Sequence, residues 1–146
     1  RYYNPQSSFV AGFVGESNRW TGIVNGGNDQ QVEIKLASGS RVFAKRDANN
    51  HITDGQSVDV FVRPEAIEIN DAGSFENKLS AKVENVLFNG AASSLQVRES
   101  LTGHEMTVAL PQTGAFASVR EGDEINLGWS VEQTRCFASN GNGAGV

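Results

Sequence analysis

From Trp20 onward the apolar and polar positions alternate with a period of two, the mark of strands that bury one face. Val32, Ile34 and Leu36 are separated by Glu33 and Lys35, and Val58, Val60 and Val62 form a second row. Leu95 and Val97, then Met106, Val108 and Leu110, then Ile125, Leu127 and Trp129 supply three more. Around Leu79 to Phe88 the phase slips: Leu79, Ala81 and Val83 are followed by Val86 and Phe88. That slip predicts a bulge, or a strand passing from one sheet to another. Connectors rich in Gly, Asn and Asp separate the rows, at 25–29, 38–39, 47–55, 70–73 and 89–90. Many short strands with such turns predict an all-β fold, a small barrel or a sandwich.

Ahead of this region the spacing changes. Asn4 can cap a helix, Pro5 suits its first position, and Phe9, Val10, Phe13 and Val14 make one helical stripe that Gly15 ends. A short N-terminal helix over 4–15 is expected, within a linker segment 1–19. The tail 139–146, rich in Gly and Asn, carries no pattern and is expected to be disordered.

An internal echo divides the β region. Gly55, Val58, Val60, Val62 and Glu65 recur 67 positions later as Gly122, Ile125, Leu127, Trp129 and Glu132. Both segments read as a turn glycine, an alternating strand and an exit closing on glutamate. The β domain, 20–138, is therefore expected to hold two related units, about 21–69 and 79–138. Units of this size have marginal cores alone, so they are expected to share a core or exchange strands.

Composition narrows the function. Against 12 Lys and Arg stand 17 Asp and Glu, a formal charge of −5, which argues against binding a nucleic-acid backbone. Arg41, Lys45 and Arg46 are the one close basic cluster. A single cysteine, Cys136, excludes an internal disulfide and a multi-cysteine metal site. His51 lies in a polar loop and His104 at a hairpin, without metal-ligand spacing. A Cys136–His104 nucleophile pair has no local motif behind it. Neither Gly-x-x-x-x-Gly-Lys-Ser/Thr nor Gly-x-Gly-x-x-Gly is present between a strand and a helix, so no cofactor site and no catalytic residue are expected. No apolar run approaches the ~18–20 residues that span a bilayer. The chain opens on Arg1 rather than Met, as expected of a fragment.

Three stretches resemble a known family. Residues 3–18 are similar to the segment that ends the nucleotide-binding domain of ABC import ATPases, above all those of the spermidine/putrescine branch, with iron(III) and phosphonate importers nearby. Residues 60–67, with Arg63-Pro64-Glu65, resemble the Arg-Pro-Glu signature of that family's accessory TOBE domain, and 119–129 resemble its Gly-Asp-x-Val-x-Leu-x-Trp ending. The resemblance implies two OB-fold-like β-barrels on the cytoplasmic side of the inner membrane. It implies a regulatory and dimerising role beside an ATPase core that would hold the ATP, the Mg and the permease contacts. A homodimer through this domain is expected, with Arg63, Glu65, Trp129 and Glu132 as partner-contact candidates at corresponding ends of the two units. A small-molecule ligand stays open. The alternative is a stand-alone OB-type binder of a small ligand or nucleic acid, with Phe61, Phe88 and Trp129 as a stacking platform.

Overall fold

Burial follows the alternation strand by strand. The computed structural model describes residues 17–47, 51–69, 75–89, 92–110 and 119–139, so the expected helix 4–15 and nearly all of the tail lie outside the described residues. Among the described residues the chain forms two five-stranded antiparallel sheets.

The first sheet holds β1 (Asn18–Gly27), β2 (Gln31–Leu36), β3 (Arg41–Lys45) and β4 (Ser57–Val62), with β10 (Thr134–Ala138) on its far side, in the order β10-β4-β1-β2-β3. In β1, Asn18, Trp20, Gly22 and Val24 point inward while Arg19, Thr21, Ile23 and Asn25 point out. Val60 faces Trp20 on one side and Cys136 on the other, and Val62 faces Asn18 and Thr134. With Val32, Ile34, Leu36, Val42 and Ala44 these make one core. Full burial of each such aliphatic side chain contributes about 1.5–3 kcal/mol. The sheet curls until β3 and β10 approach each other, with Arg135 Nη1 3.9 Å from Asp47 Oδ2.

The second sheet repeats the plan with β6 (Asn77–Asn89), β7 (Ala92–Glu99), β8 (Glu105–Leu110) and β9 (Glu124–Trp129), completed by the two-residue β5 (Glu68–Ile69), in the order β5-β9-β6-β7-β8. Its core is Ile67, Ile69, Ala81, Val83, Leu95, Val97, Met106, Val108, Ile125, Leu127 and Trp129. The phase slip in β6 is a bulge: the pairing with β7 shifts between Val83 and Asn85. β1 carries the matching irregularity between Val24 and Gly27.

The 67-residue echo is structural to the level of single hydrogen bonds. Gly55 and Gly122 both sit at positive φ, 84° and 90°, where glycine alone is unstrained. The Gly55 amide donates to the Val24 carbonyl at 2.9 Å, and the Gly122 amide donates to the Val83 carbonyl at 2.8 Å. In return the Val24 amide donates to Gln56 O, and the Val83 amide to Asp123 O.

The unit boundaries differ from the expected halves 21–69 and 79–138. The compact units are residues 17–63 with 134–139, and residues 64–133. Pro64 has no N–H to continue the β4 ladder. A 3-10 turn, Pro64–Ala66, closed by the Ile67 amide on the Pro64 carbonyl, leads the chain into β5, which pairs with β9. A second 3-10 turn, Val131–Gln133, closed by the Gln133 amide on the Ser130 carbonyl, sends β10 back to β4. The first unit thus takes its fifth strand, β10, from beyond the second, which is continuous in sequence, and the chain passes between the two sheets twice.

Candidate interaction site

Antiparallel pairing of β5 with β9 sets the start of one beside the end of the other, through Glu68–Gly128 and Ile69–Leu127. The turn before β5 and the turn after β9 therefore lie at one end of the second unit, and they carry Glu65 and Glu132, both exposed. Trp129 is brought to the same end, facing Asn77 of β6. It is 1% exposed, so a partner could reach it only if this strand end were uncovered. Arg63, half-buried, is the last residue of the first unit before the crossing. Pro64–Ala66 also packs against β8, which anchors the turn within its own unit.

Charge is divided between the units. Residues 64–133 hold 11 Asp and Glu against four Lys and Arg, a formal −7, and the remaining residues hold six against eight, a formal +2. On the second sheet's face some of the acid is neutralised. Arg98 of β7 donates to Glu84 of β6 at 2.7 and 3.3 Å, to Glu105 of β8 at 2.5 Å and to the Gly103 carbonyl at 2.7 Å. The hydrogen bond from Arg98 holds the Glu84 carboxyl below its ordinary range. Glu65, Glu68, Glu121 and Glu132 stay exposed, on turns and the short β5.

The outer face of the first sheet is basic. Ser57, Ile23, Lys35 and Arg41 stand side by side across β4, β1, β2 and β3, with Ile23 46% exposed between the serine and the lysine. Arg41 lies 3.6 Å from Glu33, which also accepts from Asn25. Arg19 reaches Asp59 at 3.2 Å, and Thr21 donates to the same carboxylate at 3.0 Å. Arg46 donates to the Asn28 and Ile52 carbonyls, pinning the loop after β3.

Burial pushes the Cys136 thiol up to about 11, so it stays protonated at neutral pH, where a nucleophile needs the thiolate. His51 is an exposed loop residue and His104 a half-buried residue just before β8. Among the described residues no three His, Cys, Asp or Glu side chains stand together as metal ligands. Of the expected stacking platform, Phe61 is 3% exposed, beside Phe137 at 5.9 Å between centroids, and Trp129 is buried, whereas the Phe88 side chain lies outside the described residues.

Two buried polar residues escaped the sequence reading. Asn18 and Asn77 open β1 and β6, and Asn18 Nδ2 donates to the Val62 carbonyl at 3.3 Å. The signal was a second echo, Asn18-Arg-Trp-Thr-Gly-Ile-Val24 against Asn77-Lys-Leu-Ser-Ala-Lys-Val83. It repeats polar as well as apolar positions, whereas a search for alternation registers only the apolar ones.

Two five-stranded antiparallel sheets with these strand-exit turns define an OB-fold-like β module. The solved structure of the cytoplasmic molybdate-binding protein ModG with molybdate bound has the same fold, with a TM-score of 0.70 at 15% identity over 84% of this chain and 96% of that one. Residues 60–137, just over half of the sequence, match the TOBE domain, and the chain belongs to that family. It is 27% identical over 130 residues to the spermidine/putrescine import ATP-binding protein PotA of Rubrobacter xylanophilus, covering 89% of this chain and 34% of that protein. It is 26% identical over 142 residues to the maltose/maltodextrin import ATP-binding protein MalK of Vibrio cholerae, covering 96% of this chain and 36% of that protein. The chain thus spans about a third of the length of these relatives. Among the described residues no helix is long and apolar enough to cross a membrane.

Proposed function

We propose that this chain is the regulatory and subunit-pairing domain of an ABC importer's ATP-binding subunit, of the polyamine type, with no reaction centre of its own. The observation that carries the reading is the TOBE match, together with similarity to importer ATP-binding proteins over nearly the whole chain. ATP and Mg would belong to an ATPase portion of the same subunit, which would also meet the membrane permease at the cytoplasmic face. The domain would act by holding two ATP-binding subunits at high effective concentration while their nucleotide sites open and close. Arg63, Glu65 and Glu132, at the strand crossings, are the contact residues of this reading, with Trp129 supporting them from within. Sedimentation of the chain tests it: a reversible dimer is expected, weakened by Arg63→Glu with Glu65→Lys. A monomer at every concentration would refute pairing through this domain. The reading frame encoding the chain should also specify a Walker-type ATPase ahead of Arg1.

The likeness to ModG supports a second reading, in which the domain takes a small ligand. Calorimetric titration with molybdate and with spermidine separates the two ligand chemistries, and heat of binding from neither would remove this reading.

A further inference from the structure

The first hairpin carries a chemically reactive pair of residues. Four asparagines precede a glycine in the sequence, Asn25, Asn89, Asn140 and Asn142, and Asn25–Gly26 is the pair that lies wholly among the described residues. Asn-Gly commonly fills the centre of a tight hairpin turn. Here the turn between β1 and β2 is built otherwise. The Asn28 amide donates to the Gln31 carbonyl at 2.8 Å, and Asn28 Oδ1 accepts from the Gln30 and Gln31 amides at 2.8 and 3.0 Å. Asn25 and Gly26 stand before that turn, where the pairing of β1 with β2 skips from Val24–Ile34 to Gly27–Val32. Two residues there oppose Glu33 alone, the arrangement of a β-bulge. Gly26 sits at φ 91°, and among the described residues nothing beyond its chain neighbours stands within 4 Å of the place a Cβ would take. Asn25 is exposed.

We propose that Asn25 is a site of spontaneous modification, cyclising with Gly26 to a succinimide that water opens to isoaspartate. The Gly26 nitrogen bonds to Asn25 Cγ, the Cγ–Nδ2 bond breaks, and the proton given up by the Gly26 amide leaves with Nδ2 as ammonia. Water then adds to one of the two ring carbonyls. Opening at the side-chain carbonyl gives aspartate, opening at the main-chain carbonyl gives isoaspartate, and neither is a redox step. Ring closure needs the following nitrogen free of a side chain that would crowd its approach, a condition glycine meets. A bulge leaves its extra residue outside the ladder, so the main chain can turn towards Cγ there without breaking a paired row.

The product fits its place poorly. Asn25 Nδ2 donates to Glu33 Oε2 at 3.0 Å, and conversion replaces that donor with a second carboxylate. At the matching place in the second unit stands Glu84, a carboxylate that Arg98 neutralises. Beside Asn25 the nearby cation, Arg41, is already 3.6 Å from the same Glu33 oxygen. Isoaspartate also adds an atom to the main chain, one residue from Val24, whose amide donates to Gln56 O and whose carbonyl accepts from Gly55. Conversion therefore loosens the end of β1.

The test holds the full 146-residue chain, folded in buffer or unfolded in guanidinium chloride, at mildly alkaline pH for several weeks. Proteolytic peptides are then weighed for the change from amide to acid, and electron-transfer fragmentation separates isoaspartate from aspartate. Asn28, Asn85 and Asn126 are also exposed but precede Asp29, Val86 and Leu127, so they report what exposure alone allows. In the folded chain Asn25 should convert about tenfold faster than these three, mainly to isoaspartate. The aged chain should unfold at a lower urea concentration than the fresh one. Aged Asn25→Gln, which keeps an amide but closes its ring far more slowly, should be destabilised markedly less. Asn25 that stays an amide in the folded chain while converting in guanidinium chloride, or that converts no faster than Asn28, Asn85 and Asn126, would overturn the proposal. Equal destabilisation of aged wild type and aged Asn25→Gln would overturn the loosening of β1.

Discussion

At the residue scale, Gly22 and Cys136 are each held by close surroundings. A Cβ on Gly22 would lie 2.7 Å from the Lys35 carbonyl oxygen and 2.7 Å from Ile34 Cγ2, closer than packed atoms tolerate. Gly22→Ala is therefore expected to lower stability by about 1–3 kcal/mol in urea unfolding. Its counterpart in the second echo, Ala81, already carries a Cβ and is fully buried, so tolerance differs between equivalent positions. The Cys136 thiol titrates near 9.0 when free and at about 11 in the fold. Between those values the folded chain binds more protons than the unfolded one, so stability falls as pH rises from about 9 towards 11. Chemical melts across that window should show a loss of up to about 2 kcal/mol, absent in Cys136→Ala. A thiol reagent at pH 8 should leave the native chain unlabelled and label it in urea.

At the element scale, the strands and their faces were legible because alternation is imposed by burial of one side of each sheet. Val32, Ile34 and Leu36, or Ile125, Leu127 and Trp129, are buried as the pattern required. The bulge in β6 was legible too, since one inserted residue inverts every later side chain. Which sheet a strand joins was not legible. Thr134, Cys136 and Val60 have the same periodicity whether β10 stays beside β9 or returns to β4, and only pairing distinguishes them. The two echoes have offsets of 59 and 67, so eight more residues separate β6 from β9 than β1 from β4, and β6 and β7 are the longer strands. Of the four contact candidates, Glu65 and Glu132 are exposed, Arg63 is half-buried and Trp129 is buried, because the inward phase of β9 that the alternation sets includes its last residue. Each continuous half, 17–69 or 75–139, lacks the strand that completes its own sheet. The halves expressed separately should show little β structure, and mixing them should restore the native circular dichroism spectrum.

At the scale of the whole molecule, the crossings sharpen a charge difference. Cut between residues 69 and 70, the chain divides into a formal −1 (eight Asp and Glu against seven Lys and Arg) and −4 (nine against five); counting Glu65 and Glu68 with the second unit and Arg135 with the first widens this to +2 and −7.

The return of β10 to β4 also sets a sequence of events during synthesis. The ribosome delivers residues 64–133 in one stretch, so the second unit has every strand it needs before the chain is finished. The first unit, though translated earlier, must wait with the β4 edge open until Thr134–Ala138 emerges. The part made first is finished last, and a stalled or shortened translation product would display that unfinished edge to any strand nearby.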